Sequence, residues 1–380
     1  MRQTPWLCLF FAACALALST AGCGDDDDSS TDGDADVDVD ADADGDADEV
    51  AGDEACGPES CPDPPSCDDG QVLSCCVCVR RQDESHPLAR TPCGAVDDDC
   101  GPGEPDLGCF QPDGYRVAGD PQDVIVYGVT DIFGNGVDAD DIRVEIFEPG
   151  GDCGDGPGTL LATTTALVDD CVAALGQEEC QEEDPDDEGS FRDLGYFEFT
   201  ETVPTETILA LRTSGNPSLW KPLVLYNLYF TNDEVSEGRV FYEARVLSTD
   251  DYRTIPASAG MPAGISPGNG ALAGEVHDCG DARVGFAQVA TDPAPPQPYS
   301  ITYFNDNPDD PLPISSRTEG TSILGLWASL NLPPGPAKVS AIGFVGDGMV
   351  SLGWFDVCVF ADTVSAVTLR GPRPQQLPSD

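Results

Sequence analysis

The sequence predicts an all-β protein: two tandem β-sandwiches, preceded by a small disulfide-rich module and a disordered acidic tether. Three observations carry this. From residue 122 onward, short segments rich in β-branched and aromatic residues alternate with Gly, Pro and Asp, the texture of strands and turns. Of 17 cysteines, 14 lie beyond residue 23, an even number that reads as disulfides in an exported chain. Residues 24–54 hold 16 Asp or Glu and no Lys or Arg. Such a segment has too little apolar surface to offset chain entropy.

The 380-residue chain opens with an apolar run from Trp6 to Leu18, long enough for a signal-peptide core and too short to span a bilayer. It closes on Ala21-Gly22-Cys23, which resembles the lipobox of bacterial lipoproteins, with Thr20 where that family usually has Leu. The resemblance implies removal of residues 1–22 and a diacylglycerol on the Cys23 sulfur. The alternative is ordinary secretion with cleavage nearby. Residues 23–54 then serve as a spacer. Alternate aspartates sit ~7 Å apart, inside the ~8 Å screening length, so they repel and extend the chain. Asp40-Ala41-Asp42-Ala43-Asp44-Gly45 matches the start of an EF-hand loop, but the twelfth position is Ala51, where a bidentate Glu is needed. A solvated spacer is expected there, with no metal site.

Residues 55–112 form the cysteine module, with Cys56, Cys61, Cys67, Cys75, Cys76, Cys78, Cys93, Cys100 and Cys109. Disulfides must replace a core in so apolar-poor a segment. The count is odd, and Cys153, Cys171 and Cys180 form a second odd group, so one bridge between the groups is expected. Cys279 and Cys358 are alone in the second half, and are expected to pair with each other.

Strands are predicted at 123–130, 142–147, 195–200, 207–212 and 223–230, with one or two helical turns around Cys171. Ser248-Thr249-Asp250-Asp251 has the form of a helix-start capping box, and Pro256 is expected to stop that helix. A Gly/Pro-rich connector follows. A second strand block is predicted at 271–277, 282–290, 299–304, 322–330, 337–345 and 349–360. The blocks read as copies. Gly128-Val129-Thr130-Asp131 matches Gly274-Glu275-Val276-His277, and Asp141-Ile142-Arg143-Val144 matches Asp281-Ala282-Arg283-Val284. Gly195-Tyr196-Phe197 leading to Val203-Pro204 matches Gly325-Leu326-Trp327 leading to Leu332-Pro333. With Leu332-Pro333-Pro334-Gly335, this pattern resembles the carboxypeptidase regulatory-like domain, a transthyretin-like β-sandwich. The resemblance implies sandwiches at 113–247 and 269–371, a connector at 248–268, a tail at 372–380 and an accessory role.

Charge narrows the partners. The formal net charge is −53, which disfavours nucleic acid and any polybasic attachment to anionic lipid. Membrane contact is expected only through the lipid on Cys23. Gly264-Ile265-Ser266-Pro267-Gly268 fits a nucleophile elbow, but Pro267 lacks the N–H that the oxyanion hole requires. His277 is expected to be a strand histidine with a hydrogen-bond partner. Tyr196, Trp327 and Trp354 are expected to be core. The expected protein is therefore a non-catalytic, lipid-anchored component of the bacterial cell envelope, at the outer membrane or cell surface rather than the inner membrane. It would bind or display an envelope protein or polysaccharide, without cofactor. Two alternatives stay open: carbohydrate binding on exposed Trp220, Trp327 and Trp354, and a hydrolase built around His277.

Overall fold

The computed structural model describes residues 50, 65–82, 86–91, 103–134, 136–150, 153–154, 156–184, 189–308, 310–346 and 348–377. Cys23, the acidic tether with its EF-hand-like run, and Cys56, Cys61, Cys93 and Cys100 lie outside them. Among the described residues the chain is all-β, with 21 strands and two short helices. A hairpin of β1 (Gln71–Ser74) and β2 (Val77–Arg80) comes first. The first block holds β3 (Asp123–Phe133), β4 (Ile142–Pro149), β5 (Gly158–Ala166), β6 (Gln181–Glu183), β7 (Phe191–Asp193), β8 (Tyr196–Glu198), β9 (Val203–Pro204), β10 (Leu209–Ser214), β11 (Trp220–Lys221), β12 (Leu223–Leu228) and β13 (Arg239–Ser248). The second holds β14 (Gly270–Val276), β15 (Gln288–Asp292), β16 (Thr302–Phe304), β17 (Pro313–Ile314), β18 (Leu326–Leu332), β19 (Gly335–Val345), β20 (Gly348–Val359) and β21 (Val364–Leu369). The helices are α1 (Val168–Ala174) and α2 (Thr249–Ser258).

Each block forms two layers around its own core. In the first, β3 lies between β13 (parallel) and β8 (antiparallel), and faces the order β12-β10-β4-β5. Val126, Val144, Ile146, Phe197, Leu211 and Val246 fill the space between. In the second, β14 lies between β21 (parallel) and β18 (antiparallel), and faces the order β15-β19-β20, with Leu272, Trp327 and Leu369 meeting Val339 and Leu352 in one core. Alternating apolar residues put one face of each strand inward, and the two inner faces make the core.

The internal repeat holds at the level of single hydrogen bonds. Gly128 is opposite Phe197 and Tyr242, and Gly274 is opposite Trp327 and Val367. Thr130 N–H donates to the Gly195 carbonyl at 2.9 Å, and Val276 N–H to the Gly325 carbonyl at 3.0 Å. Asp141 and Asp281 both adopt positive φ, 55° and 67°, a conformation that aspartate tolerates better than most residues. A Cβ on Gly128 would overlap the carbonyl oxygen of Tyr242, and one on Gly274 that of Val367. The glycines let a parallel neighbour come close.

The copies diverge after Asp281. Ile142 opens a regular strand, whereas the strand predicted from residue 282 begins only at Gln288. The reason is local: the Asp278 carboxylate accepts the N–H groups of Gly280 and Ala282, both at 2.9 Å, and holds a turn there.

One strand absent from the predictions, β21, joins the blocks. It pairs in parallel with β14 on one edge and β12 on the other, so β17-β16-β18-β14-β21-β12-β10-β4-β5 is one nine-stranded sheet. The sheet of the first copy thus continues into the sheet of the second. Its strands are covered on both faces near the seam: the Tyr226 hydroxyl accepts the Cys358 N–H at 3.3 Å, and the Tyr226 ring lies 6.4 Å from that of Phe355. Burial on both faces matches the nearly continuous apolar pattern of β12 and β4.

Helix α2 begins as the capping pattern predicts, with the Ser248 hydroxyl accepting the Asp251 N–H at 2.9 Å. It does not stop at Pro256. Proline in the last turn removes a single hydrogen bond, and the helix runs to Ser258 before Gly260, at φ 86°, turns the chain.

The disulfides correct two expectations. Cys279 and Cys358 do not pair with each other: Cys279 bonds Cys109 and Cys358 bonds Cys153. His277 N–H donates to the Leu369 carbonyl, so Cys279 follows the far end of β21, while the Cys358 carbonyl accepts the Ser365 hydroxyl near its start. Four strand residues separate those points, ~13 Å, well beyond the ~7 Å Cα limit for a disulfide. The bridge expected between the cysteine module and the group of Cys153, Cys171 and Cys180 is not formed: Cys171 pairs with Cys180, and Cys153 with Cys358. The module is stapled to the second copy, where the Asp278 carboxylate takes the Asp106 N–H at 2.9 Å and brings Cys109 to Cys279. Cys67 pairs with Cys78 inside the module.

Candidate functional site

Strand β13 passes over the shared sheet without pairing to it. Between β13 and α2 on one side, and β12, β21 and β14 on the other, lies a cavity of about 320 Å³. Its lining changes along its length. Near α2 it is apolar, with Leu247, Ile255, Ala271, Leu330 and Val364. At the opposite end are Asn227, Tyr229, Arg370 and Arg373. Val364 and Arg370 stand six strand residues apart, so the cavity extends ~20 Å. Its volume and largely apolar walls fall within the range of small-molecule sites.

A charged network forms part of the wall. Arg245 on β13 lies beside Asp131 on β3, Nε to Oδ2 2.9 Å, and reaches Glu275 on β14, Nη1 to Oε1 3.1 Å. Glu275 also takes Arg283 at 3.3 Å and the His277 Nε2 at 2.7 Å. The other ring nitrogen, Nδ1, meets Asp281 at 2.7 Å, and Asp281 takes Arg370 at 2.8 Å. Strands of both copies are therefore tied by alternating charges. Burial by itself would raise the Glu275 pKa, but the His277 hydrogen bond and the Arg245 and Arg283 charges hold it well below the usual range. For His277, burial opposes the charged form, and the hydrogen bonds to Asp281 and Glu275 overcome it and raise the pKa.

Behind Arg245 opens a second hollow of about 530 Å³, with Asp131, Glu182, Arg192 and Glu275 in its wall. Burial raises the Glu182 carboxyl to about 7, although Arg192 stands 2.9 Å away. The linkage has one sign for both groups. The His277 contribution is complete below 6.5 and is lost as pH rises through its raised pKa. That of Glu182 is complete below 4.5 and is lost by about 7. Glu206, Glu275 and Asp281 have lowered pKa values, so their contributions are lost on the acid side, below about 4. Stability is therefore expected to peak near pH 4.5 and to decline above it, first as Glu182 ionises and then as His277 loses its proton. It should fall by roughly 1–3 kcal/mol by pH 8. Urea unfolding in high salt, which suppresses the general repulsion of an acidic chain, checks this. Equal stability at pH 5.5 and 8 would refute it.

The residues singled out in the sequence divide. His277 follows β14 and has carboxylate partners on both nitrogens. Ser266 lies on an exposed turn, with its N–H on Asn331. Trp220 and Trp327 are 2% and 0% exposed, inside the cores, and present no solvent-facing platform. Trp354 is half-buried under the Lys338 ammonium, 4.6 Å from its ring. Arg245, Glu275, Arg370 and Arg373 escape a motif search, because they converge from strands far apart in sequence. The available signal is scarcity: with 17 basic residues in 380, two within four positions near the C-terminus stand out.

Comparison with known proteins finds no matching family model and no matching curated protein. Among solved structures, the Bacillus anthracis TIE protein is similar at 8% identity and a TM-score of 0.17, covering 66% of this chain and 34% of that chain. Among the described residues no helix is long and apolar enough to cross a membrane, and no group of three or more metal-ligating side chains is found.

Proposed function

We propose that this chain is a non-catalytic lipoprotein of the bacterial cell envelope, tethered through Cys23, that binds an elongated apolar ligand in the cavity beneath β13. The observation that carries the binding role is the cavity itself, apolar at one end and polar at the other, at the seam where two copies of one module share a sheet. The lipobox resemblance supports the anchor, and the resemblance to carboxypeptidase regulatory-like domains supports an accessory, ligand-presenting role. The burial of Trp220 and Trp327 favours the cavity over an aromatic carbohydrate platform.

The test uses the full chain with disulfides intact and the neutral dye Nile red. Wild type is expected to bind and enhance the dye. Ala273→Phe, which fills the cavity from β14, is expected to weaken binding at least tenfold. Absence of binding, or equal binding by the variant, would refute the cavity as the site. Metabolic labelling with an alkyne fatty acid is expected to mark wild type and to leave Cys23→Ser unmarked.

A further inference from the structure

We infer that Arg373, with Asn227 and Tyr229, forms an anion-binding subsite at the polar end of the cavity, so that the ligand is a single-chain amphiphile with an anionic head. This rests on the cavity being the binding site. The case begins with pairing. Every carboxylate around this end already has its own cation or donor. Asp281 holds Arg370 and His277. Glu206 accepts from Arg116, the Tyr229 hydroxyl and the Asn232 N–H. Glu275 serves Arg245, Arg283 and His277. Glu234 accepts the Thr231 N–H in a capping box.

Arg373 has no ion pair among the described residues, in a chain with 70 acidic side chains. Its Nε donates to the Asn227 Oδ1 at 3.1 Å, and its guanidinium lies 4.6 Å from the centre of the Tyr229 ring. Asn227 is itself fixed, with φ 60° and its amide nitrogen donating to the Thr368 carbonyl at 2.7 Å. These contacts orient the guanidinium through one edge and one face; among the described residues its two terminal nitrogens have no hydrogen-bond partner, which leaves them for an outside acceptor. A guanidinium presents parallel N–H groups in the spacing of carboxylate or phosphate oxygens.

Electrostatics agree. Burial, and repulsion from Arg370 and Arg116, bring the Arg373 pKa down to about 9. It remains a cation at neutral pH, under a repulsion that a bound anion would relieve. The apolar lining begins within a few residues of it on β12 and β21, so a head held at Arg373 directs a chain along the cavity toward α2.

Displacement of Nile red by dodecyl phosphate, dodecanoate and neutral dodecanol, each below micelle formation, tests this. Wild type should take one or both anions at least tenfold more tightly than dodecanol. Arg373→Gln should erase that preference and leave dodecanol unchanged, while Arg373→Lys should retain part of it. A preference for phosphate over carboxylate, or the reverse, names the head group. If dodecanol equals the anions in wild type, or if the preference survives in Arg373→Gln, the anion subsite is wrong and the cavity stands. If nothing displaces the dye, or the dye does not bind, the cavity reading fails with it.

Discussion

Gly274→Ala is expected to destabilise the folded chain by more than about 3 kcal/mol, among the largest single effects available in this molecule. The new methyl group would overlap the Val367 carbonyl oxygen on β21, a backbone atom that cannot rotate away. Moving β21 would disturb its pairing with β14 and with β12 at once. Gly128→Ala meets the same obstacle at Tyr242 and should behave alike. Gly348 supplies the control: a Cβ there meets nothing within 4 Å, and Gly348→Ala should stay within about 0.5 kcal/mol of wild type. Urea unfolding of the three variants decides the point. A Gly274→Ala variant as stable as Gly348→Ala would mean that β21 does not lie against β14 as described.

Removing the Cys153–Cys358 bridge is expected to have the second large effect. It spans 205 residues and ties the loop after β4 to β20 across the seam. Loop-closure entropy puts such a bridge at ~5 kcal/mol, against ~2–3 kcal/mol for the Cys171–Cys180 bridge with its separation of 9. Melting of the paired Cys→Ala variants should preserve that order. Connectivity is checked separately by single substitutions. Cys279→Ala should free the Cys109 thiol for alkylation and leave Cys358 bonded. Release of Cys358 would restore the Cys279–Cys358 pairing that cysteine count alone suggests.

The strand class is legible because Val, Ile and aromatic residues recur between Gly, Pro and Asp turns. The repeat is legible because each glycine meets a steric requirement, which selection of any other residue would violate. Cysteine pairing is not legible, because it depends on which ends of β21 the partners approach. The seam is not legible either: parallel pairing of β12 with β21 joins residues about 140 apart with no turn signal between them. For the same reason the cavity, whose walls come from β12, β13, β14, β21 and α2, has no linear signature.

The seam has a geometric consequence for self-assembly. It joins the edge of one sheet in the first copy to the edge of a different sheet in the second, so it is a head-to-tail contact, the kind that propagates into open chains unless its ends are blocked. The next edge in the series belongs to β20. There the Cys358 N–H is taken by Tyr226, its carbonyl by Ser365, and the Trp354 carbonyl by the Gln376 amide at 3.1 Å. Side chains and the segment after β21 thus occupy backbone groups along this edge, which opposes the pairing of a further strand there.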